Sequence, residues 1–263
     1  RVFFTFGKIF IMIDLVPLID ELSNVKAFFS DLKFVEDTHS YFVDGKRLKY
    51  SVSGLIKKFV PYTDWDGVAE KVAERTKIEK EVIQQEWKET ADIACEEGTE
   101  THLFGEEYPI NRKLKGDTQL KKAVEKFWNE LPSHIIPLNM ELKMYHKIFK
   151  FAGTMDLLLY NTKTKKLFIA DYKTNKDLFK NFQGQEMLAP FRDKLDNPFN
   201  HYVIQLSFYQ ILLKQICKLE IAGRKIIYLR RDGNYDIYNV PDVTNLLSLE
   251  LDKNYDKWHQ QAS

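Results

Sequence analysis

The chain has 263 residues, 44% of them hydrophobic and 29% charged, enough for one large domain or two small ones with a sizeable core. Lys and Arg number 39 against 38 Asp and Glu, a net charge of +1, which excludes a globally basic nucleic-acid binder; an anionic partner must be met by a local patch. Two cysteines, Cys95 and Cys217, with no CxxC motif exclude a disulfide framework and fit a reducing compartment.

In chain order, "RVFFTFGKIFIMIDL" is apolar, but Lys8 interrupts it, Asp14 ends it and no small-residue cleavage site follows. It is too short to span a bilayer. It is expected to be a packed strand or an extension upstream of a start at Met12, and residues 1–33 are set apart as an N-terminal extension. With no longer apolar run, the protein is expected to be soluble and without a membrane partner.

Residues 34–50 suggest a hairpin turning at Asp44-Gly45, and "SVSGLIKKF" a short helix capped by Ser51 or Ser53. Residues 65–104, rich in Glu, Lys and Ala, read as one or two helices, and 121–131 as another, stopped by Pro132. The pattern then changes. Strands are expected over 138–149 and in "TMDLLLY" and "KLFIADYK", a helix over 201–217, a strand over 224–231, and a last helix over 242–261 capped by Asp242. The economical reading is one mixed α/β domain over 34–263, with a helical front part (51–131), a core (138–231) and a C-terminal helix.

Inside the two central strands sit three charges. A hairpin symmetric about "NTKTKK" places Asp156 opposite Asp171, because the turn fixes the register. Alternation puts Lys173 on the face of Asp171. The flanking residues are apolar on both faces, as in a covered central strand. Opposed like charges and buried carboxylates both cost stability. A divalent cation between them offsets that cost, and two carboxylates with water suit Mg²⁺ or Mn²⁺. The bland alternative is a solvated sheet edge on which Lys173 pairs the acids.

Four motifs now carry a resemblance. "GTMD" (153–156) and "DYK" (171–173) resemble the two halves of the PD-(D/E)XK nuclease signature, without its first proline. "GTETH" (98–102) and "QLSFY" (205–209) resemble the GTxxH and QxxxY motifs of the RecB-like branch, and the front hairpin with "NPFNHYVIQLSFYQILL" is similar to phage exonucleases and the mitochondrial genome maintenance exonuclease. The resemblance covers about 34–231. It implies a restriction-endonuclease-like mixed central sheet flanked by helices. It further implies that Asp156, Asp171 and the Tyr172 backbone carbonyl hold metal, with His102 as an extra ligand favouring Mn²⁺ and a second ion. Lys173 would orient the attacking water, Gln205 and Tyr209 would shape the site, and Glu141 would bind metal through water. The alternatives are a solvent-facing histidine at 102 and an ordinary packed helix face for Gln205 and Tyr209.

The implied activity is metal-dependent hydrolysis of DNA, most simply by an exonuclease with two Mg²⁺ or Mn²⁺, acting on ends without sequence specificity. The competing readings are an endonuclease on branched or flap DNA and a non-catalytic DNA-binding recombination module. Two cysteines cannot hold an iron–sulfur cluster, and no GxxxxGK[ST] is present for ATP. The expected place is the cytoplasm, that of a host cell if phage-encoded, in recombination or repair. Lys113, Lys115, Lys163, Lys165, Lys166 and Lys176 are candidate phosphate contacts. Tyr62, Trp65, Phe104 and Tyr108 could stack on bases or pack in the core.

Overall fold

The computed structural model describes residues 9–256, with side chains from Val16. The first half of the chain holds α1 (Ile9–Phe28), β1 (Leu32–Val35), β2 (Ser40–Val43), β3 (Lys46–Arg47), β4 (Tyr50–Ser51), α2 (Val52–Ile56), α3 (Trp65–Thr76), α4 (Lys80–Glu107) and α5 (Gln119–Glu130). Then follow β5 (Ile135–Tyr145), β6 (Phe151–Asn161), β7 (Lys166–Lys173), α6 (Pro198–Lys214), β8 (Ile221–Leu229), β9 (Tyr235–Val240) and α7 (Thr244–Lys253). Strands β1–β3 form a small antiparallel sheet. The main sheet runs β4-β6-β7-β8-β9, with β5 also paired to β6, and mixes parallel and antiparallel neighbours.

Local chemistry sets most of these boundaries. Asp44 and Gly45 both have positive φ, 51° and 74°, as the two-residue turn between β2 and β3 requires. The Ser51 hydroxyl caps α2 through the Gly54 N–H, Asp64 caps α3 through Gly67, and Thr118 caps α5 through Lys121. Pro198 opens α6, with Asn197 as its cap.

Burial separates the two faces of the sheet. Leu158, Tyr160, Leu167 and Ile169 pack with α6 residues such as Val203 and Leu206, in a cluster that also takes in Leu18, Val25 and Phe29 from α1 and the segment after it. Leu157, Leu159, Ala170 and Tyr172 pack against Phe127 and Trp128 of α5. Covering on both faces explains why β6 and β7 read as continuous apolar runs.

Three expectations change. The N-terminal apolar run is helical from Ile9, not a strand; residues 1–8 lie outside the described residues. A strand not foreseen, β9, follows β8, so the order after α5 is β-β-β-α-β-β-α. The last helix begins at Thr244, because Asp242 Oδ1 accepts from the Thr244 N–H and hydroxyl in a turn before it; residues 257–261 of its expected span are outside the described residues. Among the described residues no helix is long and apolar enough to cross a membrane.

Candidate functional site

The β6–β7 ladder runs from Asn161↔Lys166 to Leu157↔Ala170. One step further in that register Asp156 faces Asp171, as the turn symmetry demands. There the ladder stops. Strand β7 stays with β8 through Asp171↔Ile226, Tyr172↔Ile227 and Lys173↔Tyr228. Meanwhile β4 pairs Phe151 and Ala152 of β6. The other edge of Ala152 is taken by Tyr145 of β5, so β4 occupies the edge that β7 has left. The sheet forks, and the two aspartates stand at the fork. The Tyr172 N–H, freed from the ladder, donates to Asp156 Oδ2 at 2.9 Å.

Three more side chains come to this point from separate elements. His102 of α4 has its Nδ1 3.1 Å from Asp156 Oδ2. It gets there because α4 lies directly on Tyr172: a Cβ at Gly105 would sit 2.7 Å from the Tyr172 ring. Glu141 of β5, between the pairs Met140↔Leu157 and Leu142↔Met155, comes opposite Asp156. One ligand atom from each of His102, Glu141 and Asp156 can be chosen so that all lie within 4.8 Å of one another. Lys173 is ion-paired with Asp171, and its ammonium lies 4.3 Å from the centre of the Tyr202 ring.

The charges perturb one another as their separation requires. Burial and the Asp156 charge push Asp171 up to about 6, against the pull of Lys173 and His102. Asp156 is also penalised by burial, yet His102, Lys173 and the Tyr172 N–H hold it below the ordinary range. Burial and Asp156 push Glu141 up to about 8. For His102 and Lys173 burial opposes the charge, but the neighbouring carboxylates outweigh it and raise both. Asp171 Oδ1 is buried and accepts no hydrogen bond, and an orphaned carboxylate oxygen is costly. An imidazole nitrogen, converging carboxylates and an oxygen with no donor fit a hard divalent cation such as Mg²⁺ or Mn²⁺.

Gln205 and Tyr209 share a face of α6, and the Gln205 amide donates to the Tyr209 hydroxyl at 2.7 Å. Burial, together with the Asp171 and Asp156 charges, pushes the Tyr209 hydroxyl far up, so it keeps its proton. The glycine of "GTMD" admits this ring: a Cβ at Gly153 would meet Tyr209 Cε1 and Val52 Cγ2 at 2.8 Å.

The other expected residues separate. Lys176 lines, with His102, Lys173 and Tyr202, a cleft of about 750 Å³. Lys163, Lys165 and Lys166 sit at or beside the β6–β7 turn. Lys166, five residues before Asp171, is therefore ~17 Å along the strand from the site, and it pairs with Glu220. Lys113 and Lys115 are exposed in the connection from α4 to α5, outside that cleft's lining. Tyr108 is buried and stacked on Phe104, so it belongs to the core, whereas Trp65 and Tyr62 are exposed. Sequence reasoning missed Tyr202 and Arg231, both on the cleft. Tyr202 had a signal: it lies three residues before Gln205 and seven before Tyr209, on one helix face.

A family model, that of the PD-(D/E)XK nuclease superfamily, matches residues 62–260, well over half of the chain. No curated protein matches it.

Proposed function

The chain belongs to the PD-(D/E)XK nuclease superfamily, and from that footing we propose that it is a metal-dependent DNA exonuclease of the RecB-like branch. The observation that carries this reading is the meeting of His102, Glu141 and Asp156, from three elements, beside the Asp171–Lys173 pair at the fork. His102, Asp156 and Asp171, with the Tyr172 carbonyl and Glu141, would hold one or two Mg²⁺ or Mn²⁺ ions. Bound there, such ions supply Lewis acidity and lower the pKa of water.

The chain's own groups do the rest. Lys173 sets positive charge where negative charge develops on the phosphate, and orients the attacking water. Protonated Tyr209, held by Gln205, offers an O–H rather than a further negative charge beside the carboxylates. Lys176 and Arg231 meet the flanking backbone. A role in recombination or repair, in a phage or its host cell, fits such an enzyme, with residues 34–263 as its catalytic unit.

The test incubates purified protein with linear single-stranded, linear duplex and covalently closed circular DNA, in Mg²⁺, Mn²⁺ or EDTA, beside Lys173→Ala. The expected result is metal-dependent loss of linear DNA alone, slowed at least about a hundredfold in a variant that still folds. Cut circles would replace the exonuclease with an endonuclease. Binding without any cleavage would leave a DNA-binding module.

A further inference from the structure

Lys173 ends β7 with a side chain only 12% exposed, and a buried ammonium is costly unless something compensates it. Asp171, two residues back on the same strand and 1% exposed, forms an ion pair with it. A second neighbour carries no charge. The ring of Tyr202 lies beneath the ammonium, its centre 4.3 Å from Nζ, well inside the reach of a cation–π contact.

The ring is aimed from its far end. Tyr202 stands early in α6, and its hydroxyl donates to Asn175 Oδ1, two residues past Lys173. The hydroxyl of Tyr228, the β8 partner of Lys173, donates to the Lys176 carbonyl at 3.0 Å. The lysine, the ring and the chain leaving β7 are thereby tied into one circuit across β7, α6 and β8. Burial pushes the Tyr202 hydroxyl up, against the pull of Lys173. It keeps its proton, and the ring meets the lysine as a neutral face.

Asp171 has two demands on it. If it also holds a divalent cation, its charge is divided between two cations, its hold on the lysine weakens, and the cation repels the ammonium. A second carboxylate under Lys173 would keep the lysine in place but cancel the charge meant for the phosphate. A ring face avoids both faults. It attracts the ammonium through its quadrupole, takes up no net charge, and leaves N–H groups free to turn toward the cleft. We propose that Tyr202 is a positioning residue: its ring, aimed by Asn175, keeps the Lys173 ammonium in place when Asp171 is drawn on by metal. This rests on the nuclease reading and adds to it the group that places its lysine.

Two readouts test it. In protein carrying ¹³C at the lysine ε-carbons, the Lys173 methylene is identified as the signal lost in Lys173→Gln. Ring current should place it upfield of the other lysines, in EDTA and equally in saturating Mg²⁺ without DNA. The upfield position should persist in Tyr202→Phe and vanish in Tyr202→Leu. In cleavage of linear DNA with Mg²⁺, Tyr202→Leu should lower kcat at least about tenfold with KM changed less than about twofold, and Tyr202→Phe should stay within about threefold of the native rate. Asn175→Ala, which frees the ring, should fall between the two. A Lys173 signal that leaves its upfield position when Mg²⁺ is added would overturn the proposal, and this outcome is read on the native protein even if Tyr202→Leu does not fold. A Tyr202→Phe variant as slow as Tyr202→Leu would assign the effect to the hydroxyl rather than the ring face, and a rise in KM that accounts for the loss would make Tyr202 a substrate contact; either overturns it. Full activity of Tyr202→Leu sinks this inference alone. A native protein that cuts no DNA in any metal sinks the nuclease reading, and the Lys173 signal then still decides whether the ring holds the lysine.

Discussion

Glu141 is held under two costs at once. Its φ is +53°, a left-handed conformation costing a non-glycine residue on the order of 1–3 kcal/mol, and its carboxyl is half-buried beside Asp156 and pushed up to about 8. A residue that destabilises the empty fold this way should be relieved by a neutral isostere. Glu141→Gln is expected to raise the metal-free stability by about 1 kcal/mol, read from urea midpoints, while Mn²⁺ affinity in calorimetry falls at least about tenfold. Unchanged affinity would place Glu141 outside the centre. His146, in the turn between β5 and β6, makes a second prediction away from the site. Its Nδ1 accepts the N–H groups of Ile148 and Phe149 at 3.2 Å each. Burial presses its pKa down to about 4, against Asp252. The unfolded chain takes up this proton near pH ~6.5, the folded one only near 4, so stability is lost as pH falls between the two. The loss should reach about 1–2 kcal/mol by pH ~5 and vanish in His146→Asn, whose short amide oxygen can still accept. An unchanged acid slope in that variant would assign the loss to other groups. At this scale the sequence was readable where local geometry is strict. Asp156 and Asp171 oppose each other because a tight turn sets register. The lysines of that turn lie far from the aspartates, because nearness in sequence becomes distance along a strand.

Helix α4 shows how an element delivers a residue it could not deliver alone. His102 meets Asp156 because Gly105, one turn on, lets the helix rest on the buried Tyr172 ring. Gly105→Ala would gain about 1 kcal/mol of helix propensity, yet its Cβ would fall 2.7 Å from Tyr172 Cε2, and an overpacked core contact costs roughly 1–3 kcal/mol. The expected net effect is a lower melting temperature together with weaker Mn²⁺ binding, since the helix must lift and carry His102 away. A stabilised variant with full affinity would show that the contact yields without moving the helix. Element type was legible wherever caps and turns agree, as at Ser51 and Asp44-Gly45. It failed at α1, whose β-branched apolar run has strand propensity but whose Leu18 and Val25 are buried seven residues apart, a helical spacing. It failed at β9, whose Asp236 and Asn239 are poor strand formers, sustained here by pairing along β8. The bare middle of α4 was legible as helix from its run of Glu, Lys and Ala, but not as a bridge between two packed ends, because no local pattern says which turns of a helix are covered.

Over the whole molecule, 39 basic residues stand against 38 acidic ones, so the chain as a whole gives DNA no long-range attraction. The basic groups that line the cleft are few: Lys173, Lys176 and Arg231, besides His102. Of these, Lys173 is paired with Asp171 and Arg231 with Glu97, and outside the cleft many cations are likewise held by acids, as in Lys80 with Asp66 and Glu70, Lys121 with Asp117 and Glu100, and Lys166 with Glu220. A strand bound only in the cleft should therefore displace counterions from at most about three phosphates. Its affinity should then fall with salt on a log–log slope no steeper than about −2, far shallower than for a protein that tracks a long stretch of backbone. Lys176→Ala should flatten that slope by about 0.7; Lys163→Ala, on the distant turn, should leave it unchanged. Measuring oligonucleotide binding across a salt series with both variants separates a short, cleft-confined contact from a wide electrostatic one. A slope several times steeper, flattened by Lys163→Ala, would put the strand across the β6–β7 turn, and the cleft would then be too small to account for binding.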